Sequence, residues 1–118
     1  MIDRKSQTVD IYERVATIVW QRFSPTFGIR TINAIAKNVL ARRVRDHPFV
    51  RYLQVDENGL VWSGVRGHLD EVSDEELAAS LESFMEGFFD ALSDLIGALV
   101  VGRLFQEVEE LVERGGSV

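Results

Sequence analysis

The sequence predicts a mainly α fold, a bundle-like single domain over residues 1–118 with three to four helices and one β-hairpin inserted at about residues 49–63. Three observations carry this. Apolar residues recur at i, i+3, i+4 before residue 45 and after residue 73. Between them, residues of high strand propensity flank a turn signal, Asp56-Glu57-Asn58-Gly59. The C-terminal forty residues then carry two apolar faces rather than one, which calls for a bend or for a second copy that completes the bundle.

The first helix is expected from about Thr8 to Phe23, with Tyr12, Val15, Ala16, Val19 and Phe23 on one face and Ile11 and Ile18 widening it. Trp20 falls at the edge of that stripe. Pro25 disfavours helix at Ser24 and is expected to end the segment. The second helix follows Gly28, with Thr26 as the expected N-cap. Ile29, Ile32, Ile35, Ala36, Val39, Leu40 and Val44 share one of its faces, and it is expected to end before His47-Pro48. Arg43 projects from this apolar face, where its stem can lie on the core and its head in water.

Phe49–Val55 and Leu60–Ser63 read as two short strands joined through residues 56–59. Residues 64–68, Gly-Val-Arg-Gly-His, read as a flexible connection. The next helix has the clearest start in the chain. Ser73 and Glu76 fit a capping box, and Val72 with Leu77 fits a hydrophobic staple. With Leu77 at zero on a wheel of about 100° per residue, Leu81, Phe84, Met85, Phe88, Leu92, Leu95 and Leu99 lie between about 340° and 80°. Leu104, Phe105, Val108, Leu111 and Val112 lie between about 160° and 280°. One straight helix from Ser73 to Arg114 would run about 60 Å, against about 35 Å for a compact domain of this size. A break near Gly97 is therefore the favoured expectation, with one long helix sheltered by a second subunit as the alternative.

Composition excludes several classes of chemistry. There is no cysteine, so disulfides, thiolate metal sites and cysteine nucleophiles are ruled out. No apolar run approaches the roughly 20 residues of a membrane span, and the first residues lack a secretory signal pattern. A cytoplasmic location is the expectation. The net charge of −6 is divided: residues 1–66 carry +5 and residues 67–118 carry −11. That division favours pairing of the two halves, within a chain or between chains, over nucleic-acid binding.

No nucleotide-binding or hydrolase motif occurs. Glu82, Glu86, Asp90 and Asp94 form an acidic ribbon at four-residue spacing, with no histidine near it to complete a di-metal motif. No metal and no cofactor are expected. The ribbon is instead a candidate counter-surface for Arg42, Arg43 and Arg45 of the same chain or of a partner. The candidate interface is the apolar run Leu95, Leu99, Val100, Leu104, Phe105 and Val108, which is hydrophobic nearly all round. The functional expectation is a non-enzymatic interaction or regulatory module, homodimeric through its C-terminal region, with a further protein partner open. The alternatives are a signalling domain that senses a small ligand in an apolar pocket between helices, and a small enzyme using His47 or His68.

Overall fold

The structure is a computed structural model that describes the backbone of residues 3–116. The side chains of Val100, Val101, Arg103, Leu104, Phe105, Glu109 and residues 111–116 lie outside the described residues. Among the described residues the chain is mainly helical with one two-stranded antiparallel hairpin: α1 (Arg4–Phe27), α2 (Ile29–Arg43), β1 (Gln54–Asp56), β2 (Gly59–Val61), α3 (Ser63–Gly67) and α4 (Asp74–Gly116), with 3-10 turns at Pro48–Tyr52 and Leu69–Glu71. The chain divides into two compact units, residues 1–88 and 89–118.

In the first unit, α1 starts earlier and ends later than its apolar stripe suggests. Asp3 is the N-cap, its carboxylate accepting from the Lys5 N–H at 3.3 Å. Pro25 does not end the helix. It lies in the last turn, where its missing N–H costs one bond, and Gly28 closes the helix by donating to the Ser24 carbonyl at 2.7 Å. Gly28 has φ +85°, a backbone conformation that favours glycine, and α2 begins at the next residue. Thr26 is thus inside α1, and the cap of α2 is Gly28 rather than the expected threonine.

The stripe of α1 is also turned. Val9, Ala16, Val19 and Trp20 are buried, whereas Ile11, Val15 and Ile18 are exposed. Trp20 is central to the core. Its ring stacks on Phe88 at 4.8 Å between centroids and 8° between planes, and its indole N–H donates to Asn33 Oδ1 at 2.9 Å. The Asn33 amide in turn donates to the carbonyls of Asp56 at 3.0 Å and Glu57 at 3.3 Å. One buried asparagine on α2 therefore ties α1 to the tip of the hairpin, and both of its polar ends are satisfied.

The hairpin is shorter than expected. Gln54 pairs with Val61, Val55 with Leu60 and Asp56 with Gly59, so the loop is two residues rather than four. Gly59 has φ +127°, and a Cβ there would stand 3.1 Å from the Trp20 ring. Phe49–Tyr52 is a 3-10 turn and not a strand. Pro48 at its first position supplies a helical φ, and burial of Phe49, Val50 and Leu53 follows helical spacing rather than alternation. Residues 63–67 form a helical turn rather than a flexible link, with Val65 fully buried. Gly64 is required there, because a Cβ would lie 2.5 Å from the Tyr52 carbonyl oxygen.

The start of α4 follows its local signals. Ser73 Oγ accepts from the Glu76 N–H at 3.1 Å, and both staple residues, Val72 and Leu77, are buried. Leu77, Leu81, Phe84, Met85 and Phe88 then fill the core. Gly87 permits a close approach to α2: a Cβ there would come within 2.8 Å of Val39 Cγ1 and of Arg43 Nε. Arg43 is half-buried with its guanidinium over this glycine.

The expected break near Gly97 is absent. The helix is unbroken from Asp74 to Gly116. Neither Gly97 nor Gly102 takes a positive φ, no proline interrupts the stretch, and no polar turn residue is available to end it. The second unit is the later part of this helix.

Candidate interaction surface

Among the described residues, two helical stretches each keep several large apolar side chains in contact with solvent. The first lies on residues 89–116. Leu95 is half-buried, and Ile96, Leu99 and Val108 are 37%, 46% and 56% exposed. Of the expected interface residues, Leu95, Leu99 and Val108 are thus described, while the side chains of Val100, Leu104 and Phe105 lie outside the described residues. Asp90, Asp94, Glu107 and Glu110 are exposed on the same stretch.

The second surface is the outer side of α1, which the sequence pattern assigns to the core. Ile11, Val15 and Ile18 are 62%, 38% and 47% exposed. With Ile11 at zero, Val15 and Ile18 lie at about 40° and 340°, flanked by Arg4 and Arg22 at about 20° and Arg14 at about 300°. The carboxylates of α1 are turned elsewhere. Asp10 and Glu13 both accept from the Arg66 guanidinium, Asp10 at 2.8 Å and Glu13 at closer range. These two bonds hold Arg66 above the ordinary arginine pKa, Glu13 contributing most. The outer side of α1 is left with an apolar stripe and a basic border.

The proposed counter-charges are all on the surface except Arg43. Arg42 and Arg45 are exposed, as are Glu82, Glu86, Asp90 and Asp94. Among the described residues, none of the three arginines forms an ion pair with Glu82 or Glu86. Glu82 acts instead on Tyr12, whose phenol is pushed above its usual pKa by burial first and by this carboxylate second.

Both histidines have defined partners. His47 Nδ1 donates to Glu76 Oε1 at 3.1 Å, and Ser80 Oγ donates to the same oxygen at 3.2 Å. The serine therefore faces the carboxylate, not the imidazole, and the trio lacks the serine–histidine contact that nucleophilic catalysis needs. Its effect is to pin the first turn of α4 to the end of α2. His68 stacks on Tyr52 at 3.8 Å and 10°, with Nδ1 donating to the Gly64 carbonyl at 2.7 Å. The Tyr52 hydroxyl donates to Glu71 at 2.6 Å and accepts from Arg51 at 2.9 Å. That bond to Tyr52 is the main reason the Arg51 pKa is raised. These contacts hold the segment between the hairpin and α4.

A groove of roughly 230 Å³ lies between α1 and the hairpin, bordered by Thr17, Trp20, Gln21, Leu60 and Trp62, and neither histidine lines it. Among the described residues no group of three or more His, Asp or Glu side chains could hold a metal ion, and no helix is long and apolar enough to cross a membrane.

Sequence reasoning missed Asn33 and the outer stripe of α1. Asn33 carried a signal, a polar residue beside Ile32 on an otherwise apolar face; the stripe did not, because isoleucines at helical spacing read as core. Compared with models of known protein families, with curated proteins and with solved structures, the chain matches none.

Proposed function

We propose that the chain is a non-enzymatic interaction or regulatory module that self-associates through its C-terminal helical region. The observation that supports this is the exposure of Ile96, Leu99 and Val108 along the later part of α4, which forms the second unit. Most helical stability in proteins comes from packing an apolar face rather than from propensity. Ile96 and Leu99 lie on one side of this helix and Val108 on the other, and exposed apolar side chains grouped on a helix in this way mark surfaces that another protein covers. Arg42, Arg43 and Arg45 then serve as counter-charges to Glu82, Glu86, Asp90 and Asp94 across the contact. Each exposed pair contributes only about 0.2–1 kcal/mol, so they set orientation more than affinity.

Sedimentation velocity of the full chain at micromolar concentration tests the reading. The expected species has twice the chain mass of 13.4 kDa. A monomer at every concentration would overturn self-association.

A further inference from the structure

The outer stripe of α1 needs an occupant, and its chemistry selects one. The stripe is apolar along Ile11, Val15 and Ile18 and basic at its border through Arg4, Arg14 and Arg22. Among the described residues these three arginines have no ion-pair partner. Residues 89–118 have the complementary character: Ile96 and Leu99 are exposed on one side of the helix, and six carboxylates stand against two arginines. The lengths also correspond. The 24 residues of α1 extend about 36 Å. The stretch from Phe89 to the end of α4 at Gly116 extends about 42 Å.

We propose that the stripe Ile11–Val15–Ile18 of α1, with its arginine border, is the seat on which the acidic C-terminal half of α4 from a second copy of the chain docks. This rests on the self-association proposed above and names the two surfaces that meet. A twofold axis repeats the contact, so each copy gives one tail and receives one. The apolar rows lose water at the centre, while Arg14 and Arg22 face carboxylates such as Glu107 and Glu110 at the rim. Like charges placed there oppose assembly, and opposite charges steer it.

The arrangement makes a pattern that other modes of dimerisation do not. One variant reverses the seat, Arg14→Glu with Arg22→Glu. A second reverses the tail, Glu107→Arg with Glu110→Arg. All four positions are exposed, so neither variant disturbs the core, and circular dichroism checks that each remains helical. Alone, each variant opposes its own copy, and its dimer dissociation constant rises about tenfold or more. In an equimolar mixture both contacts become complementary, and a heterodimer of near wild-type affinity forms. An apolar variant, Ile11→Ser with Ile18→Ser, weakens the wild-type dimer by at least about tenfold without a charge change.

Dimers that survive the seat and apolar variants unchanged would overturn this inference and leave self-association standing, with the tails pairing with each other instead. A mixture that fails to restore assembly would also overturn it. A wild-type chain that is monomeric throughout would overturn both readings.

Discussion

The two halves of α4 are built from the same periodicity and meet different conditions. Up to Phe88 the helix is capped by Ser73, and its apolar residues Leu77, Leu81, Phe84 and Phe88 are at most 1% exposed. Beyond Leu92, Ile96, Leu99 and Val108 are exposed along an unbroken helix. Two glycines mark the contrast. Gly87 lies where α2 leaves no room for a Cβ, and Gly97 has nothing within 4 Å of where its Cβ would be. Helical patterning therefore specifies that a face is apolar; it does not specify what covers it.

The contrast can be broken or sharpened by substitution. Phe88→Ala removes the ring that stacks on Trp20 from a fully buried site, and should cost about 3–5 kcal/mol in denaturant unfolding. A loss below about 1 kcal/mol would mean that the first half of α4 is not a core element. The glycines should respond with opposite signs. Gly87→Ala pushes on Val39 and Arg43 and should destabilise by about 1–2 kcal/mol net of the better helix propensity of alanine. Gly97→Ala meets no neighbour and should raise helix stability by up to about 1 kcal/mol, read from amide exchange of residues 89–116. Destabilisation at Gly97 would show that the tail already has a tightly packed neighbour there.

Ser73→Ala removes the N-cap of the first half and should cost about 1 kcal/mol. The smallest effect is alkaline. The Tyr12 phenol has a folded pKa above its ordinary value of 10.0, so the stability it contributes is whole below that pH and is lost as pH rises through the folded pKa. Tyr12→Phe should flatten the alkaline limb of the stability profile and leave the neutral region unchanged, as followed by thermal unfolding against pH.

What the sequence reveals and conceals follows the range of the interactions. The start of α4 was legible because cap and staple lie within five residues of each other, Val72 to Leu77. The hairpin was legible from its turn, although pairing of Asp56 with Gly59 shortens the loop. Tyr52 has strand propensity, yet its segment is a 3-10 turn, since the core takes Phe49, Val50 and Leu53 at helical spacing. Propensity yields there to tertiary burial. In α1, two apolar sides share one helix, and only the position of α2 and the hairpin decides that Trp20 enters the core while Ile11 does not. Arg42, Arg43 and Arg45 stand out in the sequence as a basic cluster opposite an acidic ribbon, but the Arg43 guanidinium lies against Gly87, a contact set by helix approach.

Amide hydrogen exchange at increasing protein concentration tests the proposed sheltering of the second half of α4 by another copy. Protection of residues 89–116 should rise with concentration, together with that of the outer turns of α1, while the amides around Ile32 and Phe84 hold constant. Exchange in the tail that is the same at every concentration would contradict the account.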